Sequence, residues 1–424
     1  MQPALSPARP TRIRHVVLGL TVAAYMITYI DRVIISSAAP LIRKEFGFSM
    51  VTMGLIFSSF RWGYALFQIP GGWLGDRIGP RRALSLIVSW WSAFMCATTA
   101  AFNATSMIVS QSLFGVGEAG AFPTATRSLS RWLLPAERAT AQGLTHAGSR
   151  LGAALTPPLV VLLMRLYGWR APFWVFATVG WLWAAGWYFY YRDNPGDHAS
   201  VNAAERDMIH AASGRVRAAT GAPVPWRSIF ASPTLWLISP MYFCYGYCLA
   251  VYLDWFPTYL HDGRGFTLKE MGFYASLPLL AGTVADFAGG WLSDRLLSRS
   301  GNVTSARRIV ASGGFLLASA GIIPATLTQD PRACVAFSCV AVFGLELTVG
   351  VSWAVPLDIG GDYAGSVASV MNMCGNIGGA ISTQVLGYLA EKWGWNTPFL
   401  VASAACAVAA LLFAKIDASK RIFD

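Results

Sequence analysis

Asp31 and Arg32 stand side by side roughly two-thirds of the way through a long apolar stretch that also carries Tyr25 and Tyr29. Glu118 stands in another such stretch, in FGVGEAGAFP. Apolar runs of about 20 residues are what a helix needs to cross a bilayer, and a charge at that depth is costly enough to mark a functional hypothesis. Desolvation favours the protonated form of a carboxyl, so a proton is a natural passenger on Asp31 and Glu118. A nearby cation pulls the other way and can couple anion binding to protonation. Arg32, planar and permanently charged, suits two-point capture of a carboxylate. The blander alternative is a structural pair, Asp31 with Arg32 or Glu118 with Arg32, that only ties helices together. Two acids in the same half exceed what one such pair explains.

Other polar residues sit on apolar helical stretches. Arg61, Tyr64 and Gln68 share a face by their i, i+3, i+7 spacing, where Tyr64 and Gln68 can hydrogen-bond either a hydroxylated ligand or a neighbouring helix. His146 and Arg150 lie one turn apart, the histidine reading as an inter-helix bond and the arginine as an extra cation. Further along the chain come Tyr242, Tyr245 and Tyr252, then Trp353, Asn372 and Asn376. The expected division of labour is protons and carboxylate capture in the first half, and hydroxyl contacts in the second. Asp254, Asp286 and Glu346 are left without a role: the last two as helix-interface groups, the first near the outer surface.

The elements that must hold these residues are membrane helices. The chain of 424 residues is 55% hydrophobic and only 12% charged, about half the charged share of a soluble domain. Its apolar runs predict spans at 16–38, 51–74, 83–102, 106–128, 139–164, 171–191, 234–258, 271–294, 307–327, 331–355, 364–389 and 396–415. With helix-end residues counted in the adjoining loop, the side that carries both termini collects 21 of the 32 basic residues and the other side 8. Both termini are therefore expected in the cytoplasm. This gives an N-terminal tail (1–15), a first six-helix bundle (16–191), a linker (192–233) with one short surface helix near 203–212, a second bundle (234–415) and a tail (416–424).

GGWLGDR at Gly71–Arg77 returns as GGWLSDR at Gly289–Arg295, and GWRAPFW from Gly168 returns as GWNTPFL from Gly394. Internal repeats of this kind are how many transporters build a central site that opens to either side. Gly71 and Gly72 permit close helix approach. Asp76, followed by Arg77, Arg81 and Arg82, is expected to latch the inner face by meeting a helix N-terminus and an arginine, with Asp294 and Arg295 as the equivalent.

Several classes are excluded. The first apolar run continues into Asp31-Arg32 and reads as a retained helix, not a signal peptide. Gly115-Val-Gly-Glu-Ala-Gly120 matches a dinucleotide fingerprint, but no strand precedes it, so close helix packing is the better reading. Asn103-Ala-Thr and Asn302-Val-Thr match glycosylation acceptors in unsuitable places. The seven cysteines lack CxxC spacing and read as packing. No nucleophile–base or metal constellation occurs, so an enzyme is not expected. The net charge of +11 points to anionic lipid headgroups, with no support for nucleic acid.

The segment Gly72-Trp-Leu-Gly-Asp-Arg-Ile-Gly-Pro-Arg-Arg82 resembles the loop signature of the major facilitator superfamily, with Pro80 inserted. More narrowly, YIDR at Tyr29–Arg32, GYALFQIPGGWLGDR from Gly63 and GEAGAFPTATRSLSRWLLPAERATAQG from Gly117 resemble the anion:cation symporter family of hexuronate, galactonate and glucarate proton symporters, sialin and vesicular glutamate carriers. The resemblance implies an all-α membrane protein with twelve transmembrane helices in two pseudo-symmetric halves. It implies Asp31 and Glu118 as proton-linked acids, Arg32 as the carboxylate-binding arginine, Tyr29 and Tyr64 as substrate-side tyrosines, and Asn372 as a polar contact. In the sugar-acid symporters an arginine lies seven residues before the fourth-helix acid. Here that position is Gln111, and Arg61 or Arg150 is expected to substitute in space.

The expectation is thus an inner-membrane monomer that carries a small organic anion, a sugar acid such as a hexuronate, aldonate or aldarate, together with protons and with no other cofactor. The rivals are an aromatic or other monocarboxylate carrier, an anion facilitator without protons, and, remotely, a membrane anion sensor. Asp31, Arg32 and Glu118 are expected to converge on a shared aqueous chamber.

Overall fold

In the computed structural model, residues 9–213, 225–360, 364–420 and 422 are described, and all regular structure among them is helical. The first half contains α1 (Ile13–Phe46), α2 (Met50–Thr99), α3 (Ala104–Glu118), α4 (Ala121–Trp132), α5 (Pro135–Tyr167) and α6 (Ala171–Tyr190). The connecting segment holds α7 (Ala203–Ser213), covering the expected surface helix, and the short α8 (Trp226–Ala231). The second half contains α9 (Pro233–Ala250), a π-helical run (Val251–Trp255), α10 (Phe256–Thr258), a second π-helical run (Tyr259–Gly263), α11 (Leu268–Ser300), α12 (Val303–Leu327), α13 (Pro331–Leu347), α14 (Val349–Gly360), α15 (Ala364–Trp393) and α16 (Asn396–Lys415).

Each of the twelve expected spans is helical along its length, apart from short breaks. Among the described residues, seven helical stretches are long and apolar enough to cross a membrane by length and composition. The exterior is apolar: Leu182, Phe189 and Leu411 are each about two-thirds or more exposed, a surface that suits lipid and not water. The two spans 51–74 and 83–102 are both parts of α2, interrupted only at Gly79, whose φ of 81° is open to glycine at little cost. The span 106–128 breaks after Glu118 into α3 and α4.

Polar residues that looked like acceptor motifs turn out to start helices. Asn103 accepts from the Ser106 backbone N–H at 2.8 Å, and Asn302 accepts from that of Ser305 at 2.9 Å. Both are N-caps that satisfy otherwise orphaned helix donors.

Within the first half α1 packs on α5, and α2 on α3 and α6; within the second, α9 packs on α15 and α16, and α11 on α13. Across the halves, α2 meets α15 and α5 meets α11. These seams are tight on the side away from the termini. A Cβ at Gly54 would lie 2.6 Å from the Thr383 carbonyl oxygen, and one at Gly387 2.5 Å from that of Met50. Arg43 also pairs there with Asp262, and the Val51 N–H donates to Glu391 at 3.1 Å. His146 lies deep between α1 and α14, its ring 6.1 Å from Tyr25 and 6.4 Å from Trp353, and is nonetheless solvent-exposed. A space between the halves therefore reaches this level.

The glycine repeats hold helices close. A Cβ at Gly71 would meet the Gly120 backbone at 2.6 Å, and one at the equivalent Gly289 would meet the Leu347 carbonyl oxygen at 2.0 Å. Gly115 and Gly117, in the false dinucleotide motif, are likewise pressed against the Phe60 carbonyl and the Trp90 ring.

Candidate functional site

Arg32 is caged by four rings contributed by three helices. Its guanidinium carbon lies 5.1 Å from the ring centre of Tyr29 on α1, 5.4 Å and 4.6 Å from Phe60 and Tyr64 on α2, and 5.5 Å from Phe122 on α4. Its Nε donates to Glu118 Oε1 at 2.5 Å. The break between α3 and α4 places Glu118 and Phe122 against the same cation. Rings attract a desolvated guanidinium but do not accept its hydrogen bonds well. Among the described residues, Arg32 Nη2 and Glu118 Oε2 are buried without a hydrogen-bond partner. Such atoms are uncommon in folded proteins and call for an explanation.

Asp31 does not join this pair. Successive helix residues point about 100° apart, and Asp31 faces the second segment of α2, where it accepts from Trp91 Nε1 at 3.0 Å. Its other oxygen has no hydrogen-bond partner among the described residues, and the residue is sealed from solvent. The expected three-way convergence on one chamber is corrected to a caged Arg32–Glu118 pair with Asp31 turned to a separate sealed position.

The other two arginines that lie within the predicted spans, Arg61 and Arg150, also reach across to the second half. Arg61 binds Asp254 Oδ2 through Nη2 at 2.7 Å and Nε at 2.8 Å. Arg150 binds Glu346 Oε2 at 2.7 Å, Asp286 Oδ2 at 3.2 Å and the Tyr245 hydroxyl at 3.1 Å. Its guanidinium carbon lies 5.6 Å from the Tyr29 ring centre. Arg32 is the bonded partner of Glu118, and Arg61 reaches the acid only through its charge, without a contact. Gln111 is buried and donates to Thr98 Oγ1 at 3.0 Å. Asp254 is largely buried and paired, not placed at an outer surface. The second half is therefore acidic where hydroxyl contacts were expected.

The predicted hydroxyl-binding groups are largely engaged with one another. Trp353 Nε1 donates to the Tyr242 hydroxyl at 2.8 Å, and the Tyr242 and Tyr245 rings stack with centres 4.8 Å apart. Asn376 Nδ2 donates back to the Asn372 carbonyl at 2.9 Å. Tyr252 is buried against Phe256 and Phe399. Gln68 lies half-buried on α2, one turn beyond Tyr64.

At the termini-bearing side, Arg77 lies over the Trp73 ring at 5.1 Å and Arg295 over the Trp291 ring at 5.0 Å. The repeat thus encodes the same cation–ring pair twice. The Asp76 side chain lies outside the described residues. Asp294 pairs with Arg307 at 3.3 Å, and Arg307 also binds Ser293 at 2.8 Å and Asp358 at 3.2 Å. The carboxylate of this motif therefore meets an arginine of α12, while its own Arg295 is used on tryptophan. A Cβ at Gly72 would make only ordinary contact with Pro123 of α4, and Arg81 fastens α2 to the end of α6 through the Tyr188 carbonyl at 2.8 Å and the Asp193 carboxylate, which accepts from its backbone N–H at 3.1 Å.

A sequence profile of the Major Facilitator Superfamily matches residues 21–383. The chain belongs to that superfamily. It is accordingly a membrane-spanning transport protein and not an enzyme. It is 42% identical over 401 residues to the "probable sulfoacetate transporter SauU" of Cupriavidus necator, covering 94% of this chain and 93% of that one. It is 30% identical over 405 residues to the hexuronate transporter of Bacillus subtilis, with 93% and 92% covered. It is also 30% identical over 421 residues to the D-galactonate transporter of Escherichia coli, with 96% of each covered. These are relatives of the kind its N-terminal motifs resemble. A crystal structure of a bacterial homologue of the human lysosomal transporter Spinster shares the fold, with a TM-score of 0.79 at 18% identity over 98% of both chains.

Proposed function

We propose that the protein carries a small organic anion together with protons by alternating access between two pseudo-symmetric six-helix halves, in the cytoplasmic membrane with both termini inside. The observation that carries this reading is the caged pair: Arg32 joined to Glu118, each with one buried polar atom unused. An incoming carboxylate or sulfonate supplies the oxygen that Arg32 Nη2 lacks. Glu118 then shares its only bonded cation with a second anion, which favours its protonation. Return of that proton on the inner side restores the Arg32–Glu118 pair and releases the ligand. Asp31 is the second proton-linked acid in this scheme, acting from its position beside Trp91. A proton gradient supplies roughly 2.3 kcal/mol per charge per 100 mV and about 1.4 kcal/mol per pH unit.

Two substrate readings follow. The hexuronate and galactonate relatives support a sugar acid. The engagement of Tyr242, Tyr245 and Asn376 with protein partners supports a compact acid with few hydroxyls, and the 42% identical relative bears such an acid in its name. We favour the compact acid. Purified protein in liposomes, given labelled sulfoacetate, glucuronate or galactonate under an inward proton gradient, tests both parts. Uptake indifferent to the gradient rejects coupling, and uptake of the sugar acids alone rejects the compact substrate.

A further inference from the structure

Arg32 and Arg150 lie over one ring: their guanidinium carbons are 5.1 Å and 5.6 Å from the centre of Tyr29. The two cations can be no farther apart than those distances added together. That limit admits two anionic groups separated by one or two carbon atoms, each paired to one guanidinium. Arg32 alone would serve an ordinary monoanion, so Arg150 calls for a separate account.

Its surroundings supply one. Two carboxylates of the second half, Asp286 and Glu346, share this single guanidinium, and the Tyr245 hydroxyl bonds both Arg150 and Glu346. Two acids on one cation repel each other, so the arrangement is poised to exchange one carboxylate for an anionic group from outside. Arg150 is buried, one helical turn from the solvent-exposed His146. Both carboxylates come from α11 and α13, whereas Arg150 comes from α5.

We propose that the ligand is a dianion, one acidic group bound by Arg32 and the other by Arg150, with Tyr29 beneath it. Resting on the anion-transport reading above, this adds that Asp286 and Glu346 stand in for the second acidic group when the site is empty. Loading then displaces them from Arg150 and undoes an ionic contact between the halves, which ties substrate binding to their relative motion.

The test compares binding of sulfoacetate, which has a sulfonate and a carboxylate on a two-carbon frame, with isethionate, in which an uncharged hydroxymethyl group replaces the carboxylate. Wild-type full-length protein is expected to bind sulfoacetate at least about tenfold more tightly, the scale of one charge-assisted contact. In Arg150→Gln the ratio is expected to fall toward one. The double variant Arg150→Gln/Glu346→Gln, which removes one of the two carboxylates stranded by the first change, is expected to do the same. A ratio near one in the wild type overturns the proposal without any variant. An unchanged ratio in a folded double variant overturns it as well. If neither compound binds, and glucuronate and galactonate also fail, it is the anion-transport reading that falls.

Discussion

Arg61 of α2 and Asp254 of the π-helical run are joined through two guanidinium nitrogens meeting one carboxylate oxygen, at 2.7 Å and 2.8 Å, across the seam between the halves. Removing one partner of a largely buried pair leaves the other charge uncompensated. Arg61→Gln or Asp254→Asn alone is expected to lower stability by roughly 1.5–3 kcal/mol. The double variant should recover much of that loss. Thermal unfolding of the purified variants reads the coupling; additive losses would mean the pair contributes nothing as a unit.

Glu118→Gln keeps the shape and one acceptor but cannot release a proton. Accumulation driven by a proton gradient is expected to disappear, while counterflow exchange of bound anion remains measurable. Equal loss of both activities in a folded variant would remove Glu118 from proton coupling.

Arg32→Lys retains the charge but loses the planar fork that the four rings enclose. Anion affinity is expected to fall by about tenfold or more. An unaltered dissociation constant by calorimetry would place the anion elsewhere.

The linker offers a pH-dependent contact. Glu205 of α7 is fully buried against the start of α1, accepting from Thr11 Oγ1 at 2.6 Å, from the Ile13 and Arg14 backbone at 3.2 Å each, and from Arg14 Nη1 at 3.0 Å. Desolvation opposes its ionisation, but these hydrogen bonds outweigh it and hold the carboxyl below its usual value. A depressed acid stabilises the folded contact fully above its unfolded value of about 4.3 and loses that contribution as the pH falls through the lower, folded one. The protection of amides in 203–213, taken against their intrinsic exchange rate at each pH, is expected to fall only in that acidic window. Glu205→Ala should lower it at neutral pH.

Sequence alone located every residue of the cage except the two phenylalanines, because charges in apolar helices stand out and Tyr29, Arg32, Tyr64 and Glu118 lie in distinctive motifs. It could not tell which way neighbours on one helix face. Asp31 and Arg32 differ by one position yet bond to different partners, Trp91 on the second arm of α2 and Glu118 on α3. The cross-half partners were illegible for a related reason. Asp254 sits in a π-helical run, where the residues per turn exceed those of an α-helix and facing patterns shift. Asp286 and Glu346 lie in regular helices, but helical spacing says nothing about a partner on α5. Phe60 and Phe122 carried no signal, being apolar residues among many.

The single-residue interruption at Gly79 leaves no spare chain between the two arms of α2, and Trp187 Nε1 of α6 holds the Pro80 carbonyl at 3.2 Å just beyond it. Any change of angle between the arm bearing Arg61 and Tyr64 and the arm bearing Trp91 must therefore be taken up by the torsions of that one glycine, so the surroundings of Glu118 and of Asp31 can part company only through Gly79.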